Sequence, residues 1–332
     1  MQTICQLGRS GLQVSRLALG TVNFGWQCDE SDAVRLMERA QERGLNLFDT
    51  ANTYGGPGRK GETERIIGRW FAQGGGRRER TVLATKVYGS FSDWPNDGKL
   101  SALNIRRSCD ASLARLGTDY IDLYQLHFVD PDTPWDEIWS AMEVLHAQGK
   151  VLYFGSSNFK GWQIAAAHGA AGVRGLRLTS HQSEYNLLNR TVEDEVLPAC
   201  AAHGIGFLAY SPLQHGVLAG GSGERRATPK ASAVVQCFTE QLEVFEVLCQ
   251  KAGLEPAKVA LAWLLARPKV TAVIVGPRTL EQLDAALDAL EVELSPALLA
   301  RLDELFPGPH VSINVGDAAV AARRTRPAMT RS

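Results

Sequence analysis

The amino-acid sequence predicts an α/β fold in which eight parallel strands close into a barrel. The main evidence is a unit that occurs eight times, made of a short apolar run, a turn and an amphipathic stretch. The repeats extend over about 270 residues, a length that suits a closed barrel better than an open sheet. Nearly every apolar run is followed by a residue that can ionise or form hydrogen bonds. The prediction is therefore a (β/α)8, or TIM, barrel with long loops at its C-terminal face.

The predicted strands are short apolar runs rich in residues that favour β-structure. They are Leu17–Leu19, Leu45–Phe48, Val82–Ala84, Ile121–Gln125, Val151–Phe154, Arg177–Thr179, Gly206–Tyr210 and Ala272–Val275. Ahead of the first strand, the segments TICQL and LQVSRL flank the turn GRSG. This arrangement predicts an N-terminal β-hairpin.

The helices are predicted from apolar residues at helical spacing. In the first of them Val34, Met37 and Ala40 lie on one face, and Gly44 ends the pattern. The helices are expected at Asp32–Arg43, Glu62–Phe71, Ala102–Leu116, Trp135–Gln148, Trp162–Ala167, Val192–Ala202, Thr239–Ala252 with Ala257–Leu265, and Thr279–Leu290. Strands that alternate with helices indicate βαβ units and a parallel sheet.

Two segments depart from the repeat. Leu213–Ala233 is long, polar and rich in glycine, which predicts a mobile binding loop after the seventh strand. Residues 307–332 contain ARRTRPAMTRS without an apolar period, and we expect a flexible, solvated tail there. Residues 1–306 are accordingly predicted to form one domain, the barrel.

Composition excludes several classes of function. The 332 residues carry a net charge of -1, so no overall field favours nucleic acid or an anionic membrane. No apolar stretch approaches the roughly 18 residues that a membrane span needs, and the N-terminus does not have the pattern of a signal peptide. The six cysteines lie far apart without a C-x-x-C pair, which predicts free thiols and no metal site. We therefore expect a cytoplasmic protein with a small-molecule substrate.

Three consecutive predicted strands end in residues suited to carbonyl chemistry, namely Asp49, Lys86 and His127, and Tyr54 follows Asp49 by five residues. Reduction of a carbonyl by hydride needs a proton donor at the oxygen, where negative charge develops. A tyrosine with a pKa of about 10 is poorly suited to this unless a cation lowers that pKa. We expect Lys86 to supply the cation, Asp49 to hold Lys86, and His127 to orient the carbonyl.

Taken singly, these residues have ordinary alternatives. His127 could be a core histidine, Lys86 a solvated surface lysine and Tyr54 a packing residue in a glycine-rich loop. Their joint occurrence at consecutive strand ends favours a catalytic site, because strand ends converge at one face of a barrel.

These residues belong to a longer series of motifs. FDTANTYG is followed by GETERIIGRW, TKV, DYIDLYQLH, GKVLYFGSSNF, QSEYNLLNR and YSPLQHGVLAG. The series resembles the aldo-keto reductase superfamily from about Gly20 to Leu290, and in particular its branches of potassium-channel β-subunit-like proteins and sugar reductases. The resemblance implies that Asp49, Tyr54, Lys86 and His127 form a catalytic tetrad with Tyr54 as general acid. It also implies a hairpin that covers the bottom of the barrel.

The same resemblance implies a nicotinamide cofactor, NADP(H) rather than NAD(H), lying across the barrel mouth. Ser157, Asn158 and Gln182 would hold the carboxamide, and Tyr210 would stack on the nicotinamide ring. An Arg278 guanidinium near a 2′-phosphate would favour the phosphorylated cofactor. The full set of implied cofactor residues is Gly20, Thr21, Asp49, Ser157, Asn158, Gln182, Tyr210, Ser211, Leu213, Gly216, Gly276, Arg278 and Gln282.

Two features bear on this cofactor site. The segment from Gly204 to Ala209 fits a loose G-x-G-x-x-A pattern, but it lies inside a predicted strand and not at a strand-to-helix turn, so we do not interpret it as a dinucleotide fingerprint. The chain also departs from the family pattern, because Ala285 and Ala286 occupy the positions where Glu and Asn usually hold the adenine. We therefore expect the adenine contacts to be weaker or differently made.

The substrate pocket is expected to be lined by residues of the strand-end loops. They are Val22, Phe24, Trp26, Tyr88, Phe91, Trp94 and Phe128. Polar residues beside Trp94, including Asn96 and Asp97, suit a sugar-derived or other hydroxylated carbonyl compound.

Two other functions have to be weighed. A cofactor-binding regulatory protein would share the barrel of channel β-subunits with little turnover, and this resemblance also allows for an oligomer. A barrel lyase or isomerase without nicotinamide would need a metal cluster or a carboxylate pair at the strand ends, and the sequence offers neither. The complete tetrad favours the reductase.

Overall fold

The computed structural model describes residues 3–221 and 229–309. Eight parallel strands form a closed barrel in the order β10-β3-β4-β5-β6-β7-β8-β9, which confirms the predicted fold class. Its strands are β3 (Leu17–Gly20), β4 (Leu47–Asp49), β5 (Val82–Val87), β6 (Ile121–Leu126), β7 (Val151–Ser157), β8 (Leu178–Glu184), β9 (Gly206–Tyr210) and β10 (Val270–Val275). The remaining two, β1 (Ile4–Gln6) and β2 (Gln13–Ser15), pair antiparallel as the predicted hairpin.

The α-helices surround the barrel. They are α1 (Glu30–Glu42), α2 (Glu62–Phe71), α3 (Ala102–Leu116), α4 (Trp135–Ala147), α5 (Gly161–Gly172), α6 (Val196–His203), α7 (Pro229–Cys237), α8 (Thr239–Ala252), α9 (Pro256–Leu265), α10 (Leu280–Asp288) and α11 (Pro296–Leu305). The bounds of α2, α3 and α8 agree with the predicted ones, because caps or glycines in the sequence mark those helices clearly. No helix within the described ranges is long and apolar enough to cross a membrane.

Successive side chains along each strand point to opposite sides of the barrel, so there are two hydrophobic cores, one inside the barrel and one between the barrel and the helices. Leu83 and Val87 of β5 point outward into the large core between barrel and helices, while Ala84 points inward. Leu7 of the hairpin is fully buried in the inner core, so it fills the bottom of the barrel. Since Lys86 is two residues beyond Ala84, its side chain also points inward, near the C-terminal end of β5. The fold therefore leaves the C-terminal mouth as the place for chemistry.

The structure differs from the predicted elements in several places. Strands β5, β7 and β8 and helix α5 all extend beyond their predicted ends, to Val87, Ser157, Glu184 and Gly172. Three further differences change the pattern of elements. Residues 214–219 of the predicted loop form 3-10 turns that are interrupted by a kink at His215 and Gly216. Helix α7 begins at Pro229, within the same predicted loop, while residues 222–228 lie outside the described residues. The helix predicted at Val192–Ala202 is broken before α6, because Thr191–Glu193 form a separate 3-10 turn. Helix α11 was not predicted, although Ser295 caps it and Pro296 begins it.

The Asp303 carboxylate of helix α11 contacts α9 and the loop after β8. Asp303 accepts hydrogen bonds from Arg190, Trp263 and Arg267 at 2.8–3.1 Å. The chain beyond it, residues 310–332, lies outside the described residues, and so does most of the predicted tail.

Candidate active site

Lys86 lies at the centre of the barrel mouth. Its fully buried ammonium donates to three oxygens: Asp49 Oδ2 at 2.6 Å, the Thr50 carbonyl at 2.9 Å and the Tyr54 hydroxyl at 3.4 Å. Burial alone would lower the pKa of Lys86, but the oxygens of Asp49 and Tyr54 outweigh it and raise that pKa above its ordinary value. The site therefore holds a permanent positive charge next to a phenol.

Tyr54 lies in the loop that follows β4, with its hydroxyl directed to Lys86. Burial raises the pKa of Tyr54, and the positive charge of Lys86 opposes that effect without reversing it. A lowered pKa was expected from the sequence, in which the cost of burying a tyrosinate is not visible. The consequence is that the phenol is protonated, and hence able to give up a proton, throughout the neutral pH range.

His127 follows β6 on the neighbouring strand, where its backbone N–H donates to the Val87 carbonyl. Its ring stacks on Phe128 with centroids 4.8 Å apart, and Phe128 in turn meets Tyr88 edge to face. Burial first, and the charge of Lys86 second, lower the pKa of His127 to about 3. The imidazole is therefore neutral, and it lies edge to face with the Tyr54 ring at 6.1 Å.

The second oxygen of the Asp49 carboxylate is held by two glutamines. Gln182 Nε2 donates to Asp49 Oδ1 at 2.7 Å and Gln125 Nε2 donates to the same atom at 3.1 Å. Gln182 was predicted to hold a carboxamide, whereas Gln125 was not singled out from the sequence. The available signal was its position: Gln125 is two residues before His127 on β6 and pairs in register with Lys86, so it points to the same mouth.

At the ends of β7 and β9, Ser157, Asn158 and Tyr210 come together. The Tyr210 hydroxyl donates to Asn158 Oδ1 at 2.9 Å, and Asn158 Nδ2 donates to Ser157 Oγ and to the His127 carbonyl. Asn158 has a φ of 61°, a left-handed conformation that asparagine tolerates better than most residues. The local backbone thus turns this side chain toward the Tyr210 ring, which is only partly buried.

Ser211, Leu213 and Gly216 lie in the segment after β9. Asn186 Nδ2 donates to the Ser211 carbonyl at 3.0 Å and to Gln214 Oε1 at 3.1 Å, which attaches this segment to the loop after β8. Gly216 is buried with a φ of 93°. The segment therefore forms part of the rim of the mouth.

Gly276, Arg278 and Gln282 lie at the end of β10 and the start of α10. Asn23 donates to the Gly276 carbonyl at 3.0 Å, and the Arg278 backbone N–H donates to Gln282 Oε1 at 2.9 Å. Beside β10, strand β3 ends at Gly20, which is in register with Asp49. The backbone N–H and the hydroxyl of the following residue, Thr21, both donate to the backbone carbonyl of Asp49. This part of the rim therefore adjoins the ion pair of Asp49 and Lys86.

Helix α10 continues past the expected adenine position without a polar side chain there. Ala286 is buried in the core and Ala285 is half-buried. No amide or carboxylate is available from these two positions.

The predicted pocket residues fall into two groups. Val22, Trp26, Phe91, Trp94 and Phe128 are exposed around the mouth, Trp94 to 79%, and Tyr88 is partly buried against Phe128. Phe24 is different: its side chain is fully buried in the core between barrel and helices. Phe24 therefore has no surface to offer a substrate, and we omit it from the pocket.

The chemical capacity of the site follows from these groups. A protonated phenol, a permanent cation and a neutral imidazole surround one point at the C-terminal mouth, and together they can donate a proton to an oxygen that becomes negative. In the part of the chain that the structure describes, no group of three His, Cys, Asp or Glu side chains is arranged to hold a metal ion. Fold and site define an oxidoreductase that acts on carbonyl or alcohol groups.

Comparison with known proteins identifies the family. A model of the aldo/keto reductase family matches residues 16–306. The chain belongs to this family, and it is an NAD(P)H-dependent oxidoreductase of the aldo-keto reductase class.

Several relatives match this chain over about nine-tenths of its length, and their names refer to different functions. An uncharacterized oxidoreductase, YrpG, of Bacillus subtilis (strain 168) is 50% identical over 312 residues, covering 91% of this chain and 95% of the relative. A probable voltage-gated potassium channel subunit beta of Arabidopsis thaliana is 34% identical over 318 residues, covering 90% and 95%. The versiconal hemiacetal acetate reductase of Aspergillus parasiticus is 31% identical over 335 residues, covering 91% and 96%.

Proposed function

We propose that the protein reduces an aldehyde or ketone with NADPH, and that Tyr54 is the general acid. The observation that carries the proposal is the contact of the Tyr54 hydroxyl with the buried ammonium of Lys86 at 3.4 Å. The cofactor, when bound, supplies a hydride to the carbonyl carbon. Tyr54 gives its proton to the carbonyl oxygen, so the product is an alcohol and the phenol becomes a phenolate. Lys86 stabilises that phenolate by its positive charge.

Asp49 and His127 have supporting roles in this proposal. Asp49 keeps Lys86 charged and in place, as its 2.6 Å contact with the ammonium suggests. His127, being neutral, offers a ring N–H to the carbonyl oxygen and orients it toward Tyr54. A protonated imidazole would compete with Tyr54 as the acid, and the low pKa of His127 prevents this.

The residues at the mouth fit a nicotinamide group. The amides of Asn158 and Gln182 can both donate and accept, as a carboxamide requires, and the partly buried Tyr210 ring offers a face for stacking. Ser157 adds a hydroxyl beside Asn158. Gln182 would have to turn its amide away from Asp49 to contact the carboxamide.

The preference for NADPH rests on Arg278. It stands just before α10, whose first turn is capped by Thr279, and a guanidinium at a helix N-terminus suits a phosphate. With Ala285 and Ala286 in place of polar residues, the adenine receives less support from α10. The phosphate contact should therefore dominate the choice of cofactor.

The substrate we propose is a sugar-derived or other hydroxylated carbonyl compound. Trp94 is largely exposed, and it belongs to a loop in which Asp97 accepts hydrogen bonds from Ser92 and the Phe91 backbone. Aromatic faces beside polar groups suit a molecule with both C–H and O–H surfaces.

A second candidate is a regulatory protein that binds the cofactor with little turnover. It is favoured by the relative from Arabidopsis thaliana, whose name is that of a potassium channel subunit. Both candidates predict cofactor binding, but only the reductase requires turnover.

The test is NADPH oxidation by the purified protein over a panel of simple aldehydes, hydroxyaldehydes and keto-sugars. NADPH binding is measured separately by quenching of tryptophan fluorescence. Turnover with preference for hydroxylated substrates supports the whole proposal. Tight binding with no turnover supports the regulatory candidate, and absence of binding overturns both.

A further inference from the structure

Gln125 is a polar side chain in an unusual place. It points into the barrel from β6, is fully buried, and belongs to a strand on which Leu123 is its inward neighbour. The interiors of such barrels are normally filled by branched apolar side chains. A methionine of similar volume would fill the same space without a polar group to satisfy, so the packing of the barrel does not call for a glutamine here.

Two observations show that the fold accommodates Gln125 in one orientation. Gly155 is its partner on β7, and a Cβ added there would come within 2.5 Å of Ser180 Oγ and 2.9 Å of Gln125 Cγ. The glycine therefore leaves room for both the serine and the glutamine side chains. At the other end, Gln125 Nε2 donates to Asp49 Oδ1 at 3.1 Å, and Gln125 Oε1 accepts from Gln182 Nε2 at 3.4 Å.

The direction of these hydrogen bonds is fixed by charge. Asp49 is the partner of the Lys86 ammonium, and an ionised carboxylate only accepts hydrogen bonds. Both glutamines must therefore present N–H to Asp49 Oδ1, and the oxygen of Gln125 is left to accept from Gln182. Lys86 in turn takes Oδ2, so the two ends of the carboxylate have different partners.

We propose that Gln125 is a positioning residue that holds the Asp49 carboxylate with Oδ2 toward Lys86. This inference rests on the proposed function. When Gln182 turns its amide to the nicotinamide carboxamide, Gln125 is the amide that stays on Asp49 Oδ1. It thereby keeps Lys86 beneath Tyr54 during the proton transfer, and it lowers the cost of releasing Gln182 to the cofactor.

Two isosteric variants separate the hydrogen bond from the shape. Gln125→Met keeps the volume and removes the donor, and we expect kcat to fall roughly tenfold with the KM for the carbonyl substrate little changed. The dissociation constant for NADPH should rise roughly fivefold, because Gln182 is then the last amide on Asp49 Oδ1. The thermal unfolding midpoint of the cofactor-free protein should stay close to that of the wild type.

Gln125→Glu tests the donor directly. At low pH the new carboxyl group is protonated and can donate to Asp49 in place of the amide, so turnover should approach that of the wild type. As the pH rises the group ionises, the donor is lost and two negative charges face each other. We therefore expect turnover to fall with rising pH in this variant alone. The cofactor-free variant should also lose thermal stability as the pH rises above the ordinary pKa of glutamate, about 4.3, because the folded state binds that proton more tightly than the unfolded chain.

The result that would overturn the proposal is a pair of variants with equal activity at every pH, whether that activity is wild-type or reduced. Equal reduction would mean that a protonated carboxyl group at this position does not restore what the amide provides, so donation to Asp49 is not the role of Gln125. Tyr54→Phe is measured alongside: if it retains turnover, the proposed function fails, whereas loss of turnover in Tyr54→Phe together with pH-independent Gln125 variants overturns only the role of Gln125.

Discussion

Lys86 Nζ lies 2.6 Å from Asp49 Oδ2, and both side chains are buried, with 0% and 6% of their surface exposed. Removing two charges from water is costly, and a buried ion pair is often no more stabilising than apolar residues of the same volume. The pair is therefore better explained by what it does for its neighbour. It keeps a cation within reach of the Tyr54 hydroxyl, where a negative charge must appear during reduction.

This explanation predicts an asymmetry between single and double variants. Lys86→Met leaves the Asp49 carboxylate buried without its counter-ion, and we expect the free energy of unfolding to fall by about 3–5 kcal/mol. In the double variant Lys86→Met, Asp49→Leu most of that stability should return, while turnover remains absent. Urea unfolding at neutral pH and NADPH oxidation measure the two properties. A double variant no more stable than Lys86→Met would contradict the account.

His127 should not titrate in the working range of the enzyme. Its pKa is about 3, lowered by burial and by Lys86, so the imidazole is neutral from pH 5 upward. The plot of kcat/KM against pH should therefore lack a step near pH 6.5. His127→Gln keeps a neutral donor and should lower kcat roughly tenfold without changing the shape of the plot. A step near pH 6.5 in the wild type that disappears in His127→Gln would show the prediction to be wrong.

The fully buried His181 should make stability depend on pH. Its ring contacts Ser156 and Ser183 at 2.8 Å, and burial lowers its pKa to about 3. Between pH 6.5 and 3 the unfolded chain binds a proton at this residue and the folded protein does not, so stability is lost as the pH falls.

Between pH 7 and pH 5, protonation of His181 in the unfolded chain lowers the free energy of unfolding by about 2 kcal/mol. Denaturant unfolding at the two pH values, with His181→Gln as the comparison, measures it. The variant should lose less stability on acidification than the wild type. An equal loss in both proteins would assign the effect to other groups.

Arg278 should decide the choice of cofactor. Arg278→Leu removes a charge that would pair with a 2′-phosphate, and we expect the dissociation constant for NADPH to rise about tenfold or more. Binding of NADH serves as the control in the same protein and should hardly change. Parallel weakening of both cofactors would mean that Arg278 contributes to the rim without recognising the phosphate.

Much of this structure could be predicted from local patterns. The strands alternate or run apolar as a barrel requires, and the ends of β4, β5 and β6 place Asp49, Lys86 and His127 at one mouth because parallel neighbours end at the same face. Ser101 and Gly117 are residue types that favour the two ends of a helix, and α3 has the predicted bounds.

Other features depend on contacts between distant segments. The pKa of Tyr54 reflects how far its own hydroxyl is removed from water, which no motif encodes. Phe24 is fully buried although it belongs to a strand-end loop, because the segment after β3 folds back on the core. The contacts of Gln125 depend on the register of three strands, in which Gln125 of β6 pairs with Lys86 of β5 and with Gly155 of β7.

The central claim is that the Tyr54 hydroxyl donates the proton, and Tyr54→Phe tests it most directly because only one oxygen is removed. The measurement is the single-turnover rate of NADPH oxidation by the cofactor complex after mixing with a substrate found in the panel, together with the NADPH dissociation constant. We predict a rate reduced about 100- to 10,000-fold with cofactor affinity retained. A rate within a few fold of the wild type would contradict the account and assign the proton to another group.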